Sequence, residues 1–122
     1  MAKILIVESP PRQRDFLILV LQSEGHDVRW TSNDNDAIRA LDVEVFDMLM
    51  TDIYRPEFDG LELIRRVRAH DKDLPVLAIS AGLRQDLFLH MAKVFGADAV
   101  VSKDELPAGI ASAVSGLLRR DH

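Results

Sequence analysis

The chain has 122 residues, room for one domain and too few for two of ordinary size. Apolar residues make up 48% of it, enough for one core, while 15 Lys+Arg against 20 Asp+Glu leave a net charge of -5. That balance argues against a generic nucleic-acid binder, which needs a basic face, and the lack of cysteine excludes disulfides and thiolate metal sites.

Absence of cysteine fits a reducing cytoplasm. Met1-Ala2-Lys3 leads straight into a strand-like segment with no signal-peptide pattern. The longest apolar run near the N-terminus, Phe16 to Leu21, is too short to span a bilayer. A cytoplasmic protein with no membrane partner and no direct nucleic-acid partner is therefore expected. No repeat, low-complexity tract or linker interrupts the chain, so residues 1–122 read as a single domain whose last helix ends close to His122.

Five short apolar runs alternate with helical patterns. The first run, Ile4 to Val7, is followed by a helix from about Pro11, since proline is tolerated at a first helical position. That helix turns Phe16, Leu17, Val20 and Leu21 inward and ends at Gly25. Val28 to Trp30 forms the second run, and a helix starting around Asn33 to Asn35 carries Ala37, Ile38 and Leu41. The third run, Met48 to Thr51, closes on Asp52. A helix from Leu61 to about His70 then buries Leu61, Leu63, Ile64 and Val67, and Pro75 keeps it from running on. Val76 to Ile79 precedes a helix over roughly Gln85 to Phe95 that stops at Gly96. Ala99 to Val101 precedes a helix from about Glu105 to Arg119, with Asp104 as its N-cap.

Four of the runs are largely non-alternating, as strands buried on both faces of a parallel sheet are. The order is (βα)₅, and right-handed crossovers place helices on both faces. The expected fold class is α/β, a doubly wound five-stranded parallel sheet of flavodoxin-like strand order 2-1-3-4-5.

In such a sheet all strand C-termini lie along one edge, where ligands bind. The first strand delivers Glu8 and Ser9 there, the third Asp52, the fourth Ser80 and the fifth Lys103. Each has a task in phosphoryl transfer to a carboxylate. Asp52 would attack phosphorus in line and become an acyl phosphate. A divalent ion, Mg²⁺ being the natural choice, would offset repulsion between that carboxylate and the phosphoryl oxygens, with Glu8 helping to hold it. Ser80 would donate a hydrogen bond to one phosphoryl oxygen and Lys103 would pair with another. Singly, Ser9 and Ser80 are ordinary turn or cap residues and Lys103 an ordinary loop charge; the ordered set carries the reading.

The chain resembles the receiver domains of two-component response regulators over essentially its whole length. The resemblance rests on the segments Lys3 to Glu8, Phe46 to Asp52, Pro56 to Leu63, Leu74 to Ala81 and Gly96 to Ala99, and the stretch from Asp52 to Gly60 is the most specific. It implies that a histidine kinase, a phosphotransfer protein or a small phosphodonor phosphorylates Asp52, with Ser80 and Lys103 assisting. It also implies that Glu8, Asp52 and the backbone carbonyl of Tyr54 ligate Mg²⁺. The phosphorylated state would be passed to an effector protein through the fourth helix, fifth strand and fifth helix, here roughly Gln85 to Arg119. A homodimer through the same face is left open.

The chain departs from the family pattern at several positions. The family usually has two adjacent acids after the first strand, and here they are Glu8 and Ser9. Loss of the second carboxylate implies weak Mg²⁺ binding and, through relief of like-charge repulsion, a more stable metal-free fold. Arg55 stands where the family often has Met, either as a loop charge or as a cation near the phosphoryl group. Lys103 is usually followed by a cis proline; Asp104 follows here, and a cis bond before a non-proline residue costs about 3 kcal/mol, so a trans bond is expected. The switch position three before Lys103, usually aromatic, is Val100, which has no ring to swing.

Two other classes compete. A pseudo-receiver, an interaction module with the fold but no useful phosphorylation, draws on Ser9, Val100 and Asp104. An enzyme or cofactor binder of similar topology lacks support: Glu8-Ser9-Pro10-Pro11 is not a flavodoxin phosphate loop, and there is no Asp nucleophile after the first strand and no GxxxxGK[ST]. The histidines His26, His70, His90 and His122 show no ligand spacing, and Arg65, Arg66 and Arg68 read as a solvated helix face.

Overall fold

The computed structural model describes residues 2–7, 11–53, 59–80, 85–102 and 108–119. Its elements follow the expected alternation: β1 (Lys3–Val7), α1 (Pro11–Ser23), β2 (Asp27–Thr31), α2 (Asp34–Val43), β3 (Met48–Asp52), α3 (Asp59–His70), β4 (Val76–Ser80), α4 (Gln85–Phe95), β5 (Ala99–Ser102) and α5 (Ala108–Arg119). All strand pairs are parallel, and the sheet order is β2-β1-β3-β4-β5.

The burial of the strands explains their composition. Every residue of β3 and β4 is buried, because each lies inside the sheet with helices on both faces. β2 is an edge strand, mostly exposed, and Trp30 is 42% exposed on it beneath the Arg14 guanidinium, 4.1 Å from the ring centre.

Alternation along the strands divides the core in two. Leu5, Val7, Leu49, Ile53, Val76 and Ala78 pack with Ala37 of α2, with Leu63, Ile64 and Val67 of α3 and with Ala92 of α4. Ile4, Ile6, Met48, Met50, Leu77 and Ile79 pack on the other face with Leu17 and Leu21 of α1 and with Ile110, Val114 and Leu117 of α5. Truncating any of the leucines, isoleucines or methionines among these to alanine would cost about 2–5 kcal/mol.

Local signals set the helix ends. Asn33 caps α2, its side chain accepting the Asp36 backbone N–H at 2.8 Å. Gly25, at φ 90°, lets the chain leave α1 while its N–H reaches the Gln22 carbonyl at 2.9 Å.

Three expectations need correction. Leu17 and Leu21 are fully buried, but Phe16 is 39% exposed and does not turn inward. α3 begins at Asp59, two residues before Leu61. Arg68 is not part of a solvated face. Its Nε donates to the Gly96 carbonyl at 2.8 Å, and its guanidinium pairs with the carboxylate of Asp98, which also accepts the Val76 backbone N–H at 2.8 Å. Arg68 therefore ties α3 to the end of α4 and to the starts of β4 and β5.

Arg65 does lie in solvent, gripping Glu62 with two hydrogen bonds. That guanidinium holds the Glu62 carboxyl below its usual range. The small contribution of the pair is present at neutral pH and is lost as the pH falls through the lowered folded value. The N-cap expected at Asp104, and the first turn expected at Glu105, lie outside the described residues.

Candidate functional site

Burying a polar group is unfavourable unless something compensates for it, so its placement is informative. Among the described residues the buried polar side chains are Thr31, Thr51, Asp52, Ser80 and Ser102. Each occupies the last or next-to-last position of a strand. The polar interior of the sheet is thus concentrated along its C-terminal edge, where parallel α/β sheets bind ligands.

The register makes the arrangement definite. Asp52 pairs with Ile79, and Ile79 with Val101; one step further on, Ser80 pairs with Ser102. Asp52 is 2% exposed and Ser80 fully buried, on adjacent strands. The Thr51 hydroxyl lies against the Asp52 carbonyl at 3.3 Å, and the Ile53 N–H donates to the Ile79 carbonyl at 2.9 Å, holding the end of β3 against β4.

The beginning of α3 presses on the same point. A Cβ added to Gly60 would lie 2.3 Å from Ile53 Cα and 2.5 Å from the Asp52 carbonyl oxygen. Only a residue without a side chain permits this approach. The Asp-Gly pair at 59–60 is visible in the sequence, but the contact that requires it is not.

Ser80 Oγ is buried and has no hydrogen-bond partner among the described residues. A buried hydroxyl without a partner is unusual enough to need a reason, and a ligand oxygen supplied from the open edge is a direct one. Ser80→Ala is therefore expected to raise the unfolding free energy of the unphosphorylated protein by about 1 kcal/mol, since the group removed is desolvated and unpaired. Urea denaturation would measure it; a loss of stability would mean that the hydroxyl is satisfied in the folded state.

Of the other expected site residues, Glu8, Ser9, Tyr54, Arg55 and Lys103 lie outside the described residues. Glu8 follows directly on β1, and Lys103 directly on β5. Val100 is partly buried against the core on the α2–α3–α4 face of the sheet. The sequence reading passed over Ser102, although its hydroxyl among valines immediately before Lys103 was there to be noticed. No group of three or more His, Cys, Asp or Glu that could hold a metal occurs among the described residues. A cavity of about 220 Å³ lined by Leu41, Phe46, Val67 and Leu74 lies at the opposite, N-terminal edge of the sheet.

Comparison with known proteins shows the family. The family model described as "Response regulator receiver domain" matches residues 4–115, and the chain belongs to that family. It is 39% identical over 80 residues to the response regulator receiver protein CpdR of Brucella abortus, across 66% of this chain and 67% of that one. Two longer curated relatives, both transcriptional regulatory proteins and each 32% identical, are matched over only 46% and 54% of their length, so this chain spans about half of them.

Among solved structures, a protein of response-regulator type from Chloroflexus aurantiacus superimposes with a TM-score of 0.89 at 28% identity, over 97% of this chain and 98% of that one. The receiver domain of the sensor histidine kinase PA1611 from Pseudomonas aeruginosa, solved with a magnesium ion coordinated in its active site cleft, has the same fold. Its TM-score is 0.84 at 22% identity, over 96% of this chain and 97% of that one. The family is that of two-component signalling domains, and no helix among the described residues is long and apolar enough to cross a membrane.

Proposed function

We propose that the domain accepts a phosphoryl group on Asp52 from a histidine kinase, a phosphotransfer protein or a small phosphodonor in the cytoplasm, and passes that state to a protein partner. The observation that carries this reading is the pair formed by the buried Asp52 carboxylate and the partnerless Ser80 hydroxyl on adjacent strand ends. One is a nucleophile; the other is a donor awaiting an oxygen.

In the transfer, an Asp52 carboxylate oxygen forms a bond to phosphorus as the donor's P–N or P–O bond breaks in line, and the departing group keeps that bond's electron pair. The new phosphoryl group brings oxygens within reach of Ser80, whose hydroxyl donates to one of them. Lys103 pairs with another as a point charge, and Arg55 is an auxiliary cation.

Mg²⁺ suits a site built from Asp52, Glu8, the Tyr54 carbonyl, phosphate oxygens and water, and when bound it supplies charge neutralisation at the phosphoryl oxygens. With Ser9 in place of a second acid, binding is weak. Ser9→Asp is expected to tighten Mg²⁺ binding by at least about tenfold, the low end of what even outer-shell partners contribute. A Mg²⁺ titration followed by calorimetry would measure this; equal affinities would mean that Glu8 already does the work of two acids.

The partner surface proposed is the α4–β5–α5 face. In its support, Leu87 and Val94 of α4, one heptad apart, are 45% and 70% exposed. With Val100 lacking a ring, the change of state is carried there by loop or α4 movement rather than by an aromatic switch.

The test is intact-mass analysis after incubation with acetyl phosphate, with and without Mg²⁺, beside Asp52→Asn. A Mg²⁺-dependent phosphoryl adduct, absent from the variant and formed at least about tenfold more slowly by Ser80→Ala, the low end for one hydrogen bond to a charged group, is the expected result. No adduct at high Mg²⁺, in either the natural chain or Ser9→Asp, would replace this reading with the pseudo-receiver.

A further inference from the structure

We infer that Ser102 is a positioning residue for phosphoryl transfer: its hydroxyl orients the Ser80 hydroxyl onto the phosphoryl oxygen. The inference rests on Asp52 being the phosphoacceptor.

The sheet places Ser102 where no other hydroxyl among the described residues lies. Ser80 and Ser102 are direct register partners at the ends of β4 and β5. Both are buried, Ser80 fully and Ser102 to 8% exposure.

They also lie on the same side of the sheet. Val76 and Ala78 belong to the core on the α2–α3–α4 face, and Val100 packs against that core. Side chains alternate along a strand, so Ser80 and Ser102, each two residues further on, are directed to that face as well. Adjacent strands lie about 4.8 Å apart, and rotation of two short side chains closes the remaining gap to hydrogen-bond distance.

The other hydroxyl on this side, Thr51, is one step lower, in register with Ala78, and lies against the Asp52 carbonyl. Val100 is also one step lower and has no polar atom. Ser102 is therefore the one hydroxyl among the described residues that stands opposite Ser80.

The chemistry follows from what a serine hydroxyl can do. Ser80 has one proton to donate and two lone pairs to fill. Once the proton is given to a phosphoryl oxygen, its own oxygen becomes a better acceptor. A proton donated by Ser102 then polarises the Ser80 hydroxyl and fixes its rotamer, since hydrogen bonds in a chain strengthen one another. No bond is made or broken at Ser102. Its effect would appear in the phosphorylated protein and in the approach to it, where charge builds on the phosphoryl oxygens.

The test compares Ser102→Val and Ser102→Thr, which share a shape and differ in the hydroxyl, by the rate of acetyl phosphate labelling in Mg²⁺. Ser102→Val is expected to label roughly fivefold more slowly, the scale of one net hydrogen bond, and Ser102→Thr within about twofold of the natural chain. In a Ser80→Ala background, Ser102→Val should add no further loss, because the group it serves is gone. Urea denaturation of each variant separates folding from transfer.

Equal labelling by Ser102→Val and the natural chain would overturn the inference and leave Asp52 as the acceptor. So would an equal loss in Ser102→Thr, or an undiminished effect in the Ser80→Ala background. Absence of labelling in the natural chain would instead overturn the phosphoacceptor reading, and this inference with it.

Discussion

Replacing Gly60 with alanine is expected to destabilise the fold by about 3 kcal/mol, the upper range for overpacking, and to slow phosphoryl acceptance by roughly a hundredfold. The cause is a single methyl group. Its carbon would lie 2.3 Å from Ile53 Cα and 2.5 Å from the Asp52 carbonyl oxygen. Both neighbours are backbone, so neither can rotate away as a side chain tip would. Either α3 retreats from the sheet or the end of β3 is displaced.

Retreat of α3 opens the contacts of Leu61, Leu63 and Ile64 with the core. Displacement of β3 moves Asp52, and a reacting group out of place by about 1 Å loses on the order of a hundredfold in rate. Guanidinium denaturation reads the first effect and phosphodonor labelling of the folded protein reads the second. A Gly60→Ala variant as stable and as quickly labelled as the natural chain would mean that α3 does not bear on Asp52.

The substitution shows how much of this molecule its sequence discloses. The strands, the helices and the sheet order follow from runs such as Val76 to Ile79 and from punctuation such as Gly25 and Pro75, because burial on both faces and helix termination are local demands. The positions of Asp52 and Ser80 follow too, since the topology alone sends both to the C-terminal edge.

Contacts between distant segments are a different matter. Gly60 is visible as part of a motif, but its reason is an approach of α3 to β3 that no spacing encodes. Phe16 has the spacing of an inward residue on α1, yet neighbouring elements leave it 39% exposed. Ser102 reads as one small residue at the end of a valine run, and only the register with Ser80 gives it a chemical setting.

Arg68 is the clearest case. On the helix it stands beside Arg65 and Arg66, and its composition suggests solvent. Its partners Gly96 and Asp98 are 28 and 30 residues away. Gly96 is at φ 124°, a conformation that suits glycine, and an added Cβ would lie 2.5 Å from Arg68 Cγ. The arginine stem lies against the turn after α4, and that turn must be glycine for two reasons at once.

This junction sets up the second large effect, which should fall on stability alone. Asp98→Ala is expected to cost about 2–3 kcal/mol, because it removes one acceptor from two donors. The Arg68 guanidinium would be left partly buried without its carboxylate, and the Val76 N–H would lose its partner at the start of β4. Asp98→Asn keeps a carbonyl oxygen but not the charge, and should fall between alanine and the natural residue.

The junction lies at the N-terminal edge of β4 and β5, whereas Asp52 and Ser80 lie at the C-terminal edge. Labelling of folded Asp98→Ala should therefore proceed at the natural rate, in contrast to Gly60→Ala. Urea denaturation and labelling of the same samples would separate the two kinds of residue. A labelling rate that fell with Asp98→Ala while its stability held would mean that the two edges are coupled through β4 and β5. The Arg68 junction would then belong to the signalling apparatus as well as to the scaffold.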